Sequence, residues 1–324
     1  MTEVSARDVA GVRPLAHTLT QNGEVGGEGS DPVPIETPLR LFLAEFLESR
    51  AAAVALAVLA LLVAVAVAAP WVTPQNPYDL GSLDILDSRQ APGAKASAGF
   101  TMILGSDGLG RDLYSAIVYG LRISLLVGIM SGVLAMLIGM STGLLAAYAG
   151  GRTEAVVMRV VDLQLSFPAI LVALMLVAVL GKGVEKIVLA LVAVQWAYYA
   201  RTVRASALVE RRKEYVEAAR GLALSPARIM LRHILPNCMP PLIVVGTVQT
   251  AHAIALEATL SFLGVGMPPT EPSLGVLIAN GFEYMLSGRY WISFFPGIAL
   301  LVTIVSINLV GDRLREVLNP RLRR

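Results

Sequence analysis

The feature that most constrains this chain is a run of twenty-two uncharged residues, AAAVALAVLALLVAVAVAAPWV, at 51–72. At about 1.5 Å rise per residue, such a helix crosses the hydrocarbon core of a bilayer, which is roughly 30 Å thick. Five further apolar runs follow, at about 116–148, 163–180, 184–199, 240–265 and 291–310. We therefore predict an all-α integral membrane protein with six transmembrane helices. Only 15% of the residues are charged, against about a quarter in soluble domains.

The distribution of apolar and charged segments also predicts how the chain is organised. We expect a flexible cytoplasmic tail at 1–38, an N-terminal segment and first transmembrane helix at 39–72, an extracytoplasmic loop at 73–112, a five-helix core at 113–312 and a basic cytoplasmic tail at 313–324. A polar loop at 205–236 interrupts the core, and its length and charge call for an explanation.

Lysine and arginine residues predict the orientation, because they accumulate on the cytoplasmic side of membrane proteins. The segment 201–236 holds eight of them: Arg201, Arg204, Arg211, Arg212, Lys213, Arg220, Arg228 and Arg232. The C-terminal tail is also basic. Both termini and the polar loop are thus expected in the cytoplasm of a multi-pass protein. The net charge of +2 is too small to favour nucleic acid as a partner, so lipid is the expected surrounding.

The polar loop has the pattern of two short helices separated by a break. In its first half, Glu210–Lys213 and Glu217–Arg220 are spaced to form i,i+3 ion pairs. Ser225 followed by Pro226 is typical of a helix start, and Pro236 is expected to end the second helix. Between them, AARGLAL is a small apolar patch on a charged hairpin. Such a loop could simply set topology, or its patch could dock into a groove of a partner protein.

The stretch EAARGLALSPARIMLRHILP, together with LGSDGLGRDLYSAIVYGLRISLLVG, DLQLSFPAILVA, EATLSFLGVGMPPTEPSLG and NLVGDRLREVLNPR, resembles the permeases of bacterial ABC importers. The first carries their EAA motif, and the others are similar to the C-type permeases of dipeptide, oligopeptide and nickel importers. The motif glycine position is occupied by Ala223, and Gly221 lies two residues earlier.

The resemblance implies a transport subunit that works with other proteins. These would be a homologous second permease, forming a heterodimer, two cytoplasmic ABC ATPase subunits and an extracytoplasmic substrate-binding protein in the bacterial inner membrane. The residues expected to couple the loop to the ATPase are Glu217, Ala218, Ala219, Arg220, Gly221, Leu222, Ala223, Ser225 and Pro236. Glu217 would anchor by charge, and the small residues would allow close packing.

The chain lacks the motifs of an enzyme. No G-x-x-x-x-G-K-[ST], HExxH or G-x-S-x-G pattern occurs in it, so we expect no catalytic residue. ATP and Mg²⁺ would bind the partner ATPases, and this chain is expected to bind no cofactor and no metal. Its lone cysteine, Cys238, excludes an internal disulfide.

Polar residues inside the predicted spans are candidates for the translocation path, because such groups are costly in a membrane. They are Gln195, Trp196, Gln249, His252 and Glu257. Gln249 and His252 suit a wall accessible to water, whereas Glu257 suits hydrogen bonding between helices. Arg159 and Asp162 are expected to pair at the cytoplasmic edge.

The resemblance favours import of di- or oligopeptides, and it leaves nickel, glutathione and oligosaccharides open as cargo. A lack of clustered metal ligands weighs against a dedicated nickel site. Two other classes remain open. One is an ion-coupled secondary transporter that uses Glu257 and Asp162, and the other is a structural membrane scaffold; neither would require a docking loop.

Overall fold

The computed structural model describes residues 38–79, 81 and 83–318. By its contacts the chain divides after Leu41, so the described part of the first unit is only the first turn of helix α1 (Pro38–Glu48). The expected tail at 1–37 and residues 319–324 of the basic tail lie outside the described residues.

The second unit begins at Phe42 with the rest of α1. The first predicted span follows and is broken near its end. Helix α2 (Arg50–Val67) is capped by Ser49, whose hydroxyl accepts a hydrogen bond from the Ala52 amide at 3.4 Å. Helix α3 (Ala69–Val72) continues it with Pro70 in its first turn. The loop that follows contains a 3₁₀ turn (Ile85–Asp87) and two paired antiparallel strands, β1 (Ala94–Lys95) and β2 (Thr101–Met102). The all-helical prediction missed this small hairpin of strands.

The centre of the fold is formed by helix α4 (Leu113–Ala149) and helix α7 (Val184–Glu210). Glycines on α4 let the two backbones approach closely, as is common between membrane helices. A Cβ atom added at Gly139 would lie 2.4 Å from the Trp196 carbonyl oxygen, and one at Gly143 would lie 2.4 Å from that of Ala200. These two positions therefore tolerate no side chain without a shift of backbone.

Between α4 and α7 the chain forms a sharply bent pair, helix α5 (Gly151–Ser166) and helix α6 (Ala169–Leu180). Their axes differ by 91°, and Pro168 stands at the break. Arg201 on α7 reaches Asp162 on α5 at 2.6 Å. The expected pairing of Asp162 with Arg159 was wrong, because the Asp162 carboxylate pairs with Arg201 of α7 instead.

The second half of the chain starts with helix α8 (Glu214–Gly221) and helix α9 (Pro226–Arg228). A π-helical segment (Ile229–Ile234) joins α9 without interruption to helix α10 (Leu235–Phe262). Helix α11 (Leu274–Phe282), a 3₁₀ turn (Met285–Ser287) and helix α12 (Trp291–Leu318) complete the described chain. The main hydrophobic core surrounds α7, and α2, α4, α10 and α12 share a second one.

Four described helical stretches are long and apolar enough to span a membrane: α2, α4, Pro226–Phe262 and α12. Counting the bent pair α5–α6 as one span gives five. The remaining predicted span falls on α7, whose charges Glu185, Lys186, Arg201 and Arg204 lower its mean hydropathy. The count of six therefore stays a prediction, while the mostly helical, multi-span architecture is confirmed.

Candidate functional site

The polar loop folds into a hairpin, residues 211–234, which joins α7 to α10. One limb is α8, and the other is α9 with the π-helical segment. In α8, Val216 and Ala219 are buried in the main core, whereas Glu217 and Ala218 are exposed. The hairpin thus has one face packed on the core and one face free.

The predicted coupling residues fall mostly on the free face. Eight of the nine are exposed: Glu217, Ala218, Arg220, Gly221, Leu222, Ala223, Ser225 and Pro236. The ninth, Ala219, is 4% exposed and packs inward. Leu222 is 75% exposed at the tip, next to the small exposed residues Gly221 and Ala223. The expected Glu217–Arg220 ion pair is absent from the described contacts, so the Glu217 carboxylate faces outward unneutralised.

The turn at the tip ends α8 with a Schellman motif, in which two amides satisfy the last carbonyls of the helix. The Leu224 N–H donates to the Ala219 oxygen at 3.2 Å, and the Ala223 N–H donates to the Arg220 oxygen at 2.9 Å. Ala223 has φ = 53°, the left-handed conformation in which glycine is usual. The position at which the EAA motif has glycine is therefore the position at which the backbone needs one.

The second limb begins as predicted and continues further than predicted. Ser225 occupies the N-cap position and Pro226 the first turn, although the Ser225 side chain makes no capping hydrogen bond. The expectation that Pro236 ends this helix was wrong, since α10 continues through it. A proline in an α-helix clashes with the carbonyl four residues earlier, and here a π-helical segment, a widened turn that accommodates such irregularities, ends at Ile234, two residues before Pro236.

The base of the hairpin is held by polar contacts around Glu210, the last residue of α7. Its carboxylate accepts hydrogen bonds from the Tyr215 hydroxyl at 2.5 Å and from Lys213 Nζ at 2.7 Å, the ion pair that the sequence predicted. Asn237 Nδ2 in turn donates to the Tyr215 oxygen at 3.2 Å. Burial and the hydrogen bond to Glu210 raise the pKa of Tyr215 to about 12. The Tyr215 hydroxyl therefore stays protonated at neutral pH, and it donates a hydrogen bond to the Glu210 carboxylate.

A second contact ties the base to α4. Arg211 Nη1 donates to the Ala147 carbonyl oxygen at 2.7 Å. Ala147 lies in the last turn of α4, where carbonyl groups lack partners within the helix and a cation is favourable. The hairpin is thus fixed to the ends of α4, α7 and α10.

A cavity of about 900 Å³ opens next to this base, between α5, α7, α10 and α12. Apolar residues of α10, from Pro240 to Val248, form one wall. The polar residues at its surface are Tyr198, Arg201, Thr202, Asn237, Gln249 and Arg315. A cavity that is mainly apolar with a few polar groups is typical of ligand sites. Of these residues, only Gln249 is among the path candidates that the sequence pattern predicts.

Gln195 and Gln249 are brought together in the protein interior. Gln195 Nε2 donates to the Gln249 carbonyl oxygen at 3.1 Å, and both residues are buried. Gln195 Oε1 and Gln249 Nε2 have no hydrogen-bond partner among the described residues. Because only Gln249 also borders the cavity, it is the candidate of the pair with access to the path.

The other three path candidates lie apart from this pair. Trp196 is half-buried and packs against the small cluster formed by Val161, Ala197 and Ala200, and His252 is exposed. Glu257 is fully buried and accepts hydrogen bonds from Ser124 of α4 at 3.1 Å and from Ser261 at 2.8 Å. This geometry favours the interhelical role for Glu257. In the described residues, no group of three histidine, cysteine, aspartate or glutamate side chains is arranged to hold a metal ion.

At the other end of α4, GSDGLGRD forms a buried cap turn. Arg111 and Asp107, 0% and 1% exposed, form an ion pair at 2.7 Å. Asp112 caps α4 by accepting from the Ser115 amide at 2.8 Å. Burial raises the pKa of Asp112, although the hydrogen bonds from Ser115 act in the opposite direction. The segment is thus built as structural support for the helix.

The helical fold, the hairpin and the cavity beside it define a multi-span membrane transport component. The chain belongs to the family of binding-protein-dependent transport system inner membrane components, whose model matches residues 135–324, including the whole hairpin. Residues 37–92 match the N-terminal TM domain of oligopeptide transport permease C. The chain is therefore a multi-pass inner-membrane protein that works with other components of such a system.

Relatives match over most of their length. The chain is 39% identical over 295 residues to the dipeptide transport system permease protein DppC of Escherichia coli K12, covering 91% of this chain and 96% of that protein. It is 36% identical over 296 residues to the di/tripeptide transport system permease protein DppC of Pseudomonas aeruginosa, covering 91% and 96%. Among solved structures, an inward-facing MetNI methionine ABC transporter matches 64% of this chain and 98% of its own, with a TM-score of 0.53 and 20% identity. That likeness concerns the fold alone.

Proposed function

We propose that this chain is a permease subunit of a binding-protein-dependent ABC importer for di- and oligopeptides, and that it forms half of the translocation path. The observation that carries the proposal is the hairpin. It presents Glu217, Ala218 and Leu222 outward on a base fixed to three helices, and a free apolar tip on a firm base suits docking into a groove of a partner.

The partner for this face is an ABC ATPase. The exposed small residues leave room for close packing, and the unpaired Glu217 carboxylate offers an anchor for a cation. The hairpin carries eight lysine and arginine residues in and next to it, at 201–232, which supports a cytoplasmic position for it and for both termini. This chain hydrolyses no ATP itself; ATP and Mg²⁺ bind the ATPase.

A second, homologous permease completes the path. The cavity beside the hairpin opens on one side of this chain and is walled by α5, α7, α10 and α12, so it suits half of a shared passage. An extracytoplasmic binding protein delivers the ligand. Peptides are the cargo class favoured by the relatives named above, and nickel, glutathione or oligosaccharides are the alternatives within the same architecture.

Purification of the chain from its native membrane in mild detergent, followed by mass spectrometry, tests the proposal. A homologous permease with one or two ATPases is the expected result. The co-purified binding protein is then titrated with dialanine, trialanine, Ni²⁺ and glutathione, and peptide binding alone supports the cargo assignment. If the chain is isolated without an ATPase and uptake collapses with an uncoupler, the secondary transporter replaces this proposal.

Two variants test the docking face directly. Glu217→Ala and Ala218→Asp should insert normally and reduce ATPase association and uptake, since both side chains are exposed. Glu185→Ala is the matched control, because Glu185 is also an exposed glutamate but lies in the first turn of α7, away from the hairpin. Normal uptake in both hairpin variants would contradict the docking role.

A further inference from the structure

The strongest unexplained feature outside the docking face is the polar cluster at the base of the hairpin. Three chain segments meet there: Glu210 ends α7, Tyr215 lies in the first turn of α8, and Asn237 lies in the first turns of α10. The Tyr215 hydroxyl stands at the centre, since it donates to Glu210 and accepts from Asn237. We refer to these three residues as the base cluster.

The base cluster is also next to the cavity. Asn237 belongs to the cavity wall. Its Nδ2 atom donates two hydrogen bonds, one to the Tyr215 hydroxyl oxygen at 3.2 Å and one to the His233 backbone carbonyl oxygen at 2.8 Å. The hydroxyl of Tyr215 is therefore one hydrogen bond away from a residue that borders the path. Tyr215 also lies on α8, the helix that carries Glu217 and Ala218.

The hydrogen bond from Tyr215 to Glu210 is the strongest contact of the base cluster. Glu210 is 9% exposed, and a hydrogen bond to a charged acceptor is roughly twice as strong as one between neutral groups. Lys213 neutralises one oxygen at 2.7 Å, which leaves the other for Tyr215. The phenol is held by a partner that does not move freely, because Glu210 belongs to the helix at the centre of the main core.

We propose that Tyr215 is a positioning residue for transport coupling. Its hydroxyl transmits displacement of α8 to the start of α10 and so to the cavity wall at Asn237. The inference rests on the proposed function and adds to it the side chain through which a push on the hairpin reaches the path. Without this hydroxyl, α8 still docks, but the start of α10 follows its displacement less closely.

The test uses the complete importer reconstituted in proteoliposomes with its binding protein, and tritiated dialanine as cargo. Tyr215→Phe removes only the hydroxyl. Subunit stoichiometry and ATP hydrolysis should remain within about twofold of wild type, while dialanine imported per ATP hydrolysed should fall roughly three- to tenfold, as expected for one charge-assisted hydrogen bond in a coupling pathway.

Tyr148→Phe is the matched control, since Tyr148 is half-buried and its hydroxyl has no hydrogen bond among the contacts of the described residues. It should leave the import ratio unchanged. Asn237→Ala should lower the ratio as well, and the double variant with Tyr215→Phe should be no worse than the more severe single variant, because residues in one network are not additive.

The outcomes distinguish a failure of the Tyr215 role from a failure of the proposed function. A wild-type importer that couples, together with an unchanged ratio in Tyr215→Phe, overturns the inference and leaves the proposed function standing. A fall in assembly parallel to the fall in uptake also overturns it, because Tyr215 would then act in folding or docking. If the wild-type chain assembles with no ATPase or imports no dialanine, the proposed function fails, and the inference fails with it.

Discussion

Replacing Ala223 with glycine should stabilise the tip of the hairpin. Ala223 is held at φ = 53° by the Schellman motif, whose amides at 223 and 224 bond to carbonyls of α8. An alanine in this conformation suffers a close contact between its Cβ atom and the backbone. Glycine has no Cβ atom and adopts the same conformation freely.

The size of the effect follows from two opposing quantities. The left-handed conformation costs an alanine roughly 1–2 kcal/mol. Glycine loses more backbone freedom on folding, which costs about 0.5–1 kcal/mol relative to alanine. The difference predicts that Ala223→Gly favours the closed turn by about 0.5–1 kcal/mol. The turn should then be open for a fraction of time that is about two- to fivefold smaller.

The fraction of time for which the turn is open is measured by amide hydrogen exchange, followed by mass spectrometry on the detergent-solubilised protein. The informative amide is that of Leu224, which donates to Ala219 across the turn at 3.2 Å. Its exchange should slow about two- to fivefold in Ala223→Gly. Ala227→Gly is the matched control. The same chemical change within the α9 helix should destabilise that helix by about 1 kcal/mol and speed amide exchange in the hairpin.

Equal acceleration of exchange in Ala223→Gly and Ala227→Gly would refute the reasoning, since the turn would then gain nothing from glycine. A neutral result in Ala223→Gly with acceleration in Ala227→Gly would show that strain at Ala223 is smaller than the entropy that glycine loses. In either case uptake should remain, because Ala223→Gly removes only one methyl group from the free face and places there the residue that the EAA motif has.

Three further predictions concern the transmembrane part and its cap, each measured as thermal unfolding in detergent. Asp112→Ala should lose the α4 cap and about 1 kcal/mol, whereas Asp112→Asn keeps it. Burial raises the folded-state pKa of Asp112, so its ionisation costs stability; wild type should lose stability relative to Asp112→Asn as pH rises through that raised pKa, and a pH-independent difference would contradict this. Glu257→Ala should cost about 2–4 kcal/mol, because it leaves a cavity and unpaired serine hydroxyls, while Glu257→Gln should cost less than half as much. Gly143→Ala should cost about 1–3 kcal/mol through its clash with the backbone, whereas Gly246→Ala, with open space around it, should be neutral or stabilising; similar losses in both would argue against close packing at Gly143.

The apolar runs predicted most of the fold because membrane spans depend on composition, which is local in the chain. The start of the second limb at Ser225 and Pro226 was also a local signal and was predicted correctly. Pro236 misled the prediction because a π-helical turn has no sequence signature of its own. The two short strands escaped notice because two residues each are too few to form a pattern.

The candidate site was less accessible to prediction, because its contacts join distant residues. Glu210–Lys213 is an i,i+3 pair and was found, but Asp162 pairs with Arg201, 39 residues away. Ala219 and Ala218 look alike in the sequence, yet one faces the core and the other faces outward. Tyr215 could have been noticed as a polar aromatic residue among helix formers. Its position between Glu210 and Asn237 depends on the fold of the hairpin.

The π-helical segment sets the rotational phase between the second limb of the hairpin and α10. Ile229 and Ile234 are five residues apart and both are 1% exposed. In an α-helix, residues five apart differ by about 140° around the axis and cannot share one buried face. In a π-turn, the hydrogen bond itself connects residues five apart, so that they lie nearly above one another. The extra residue in this turn therefore acts as a phase shift, and deleting one residue within 229–234 should turn the limb by about 100° relative to α10, moving the hairpin to another side of the helix without changing any residue on its docking face.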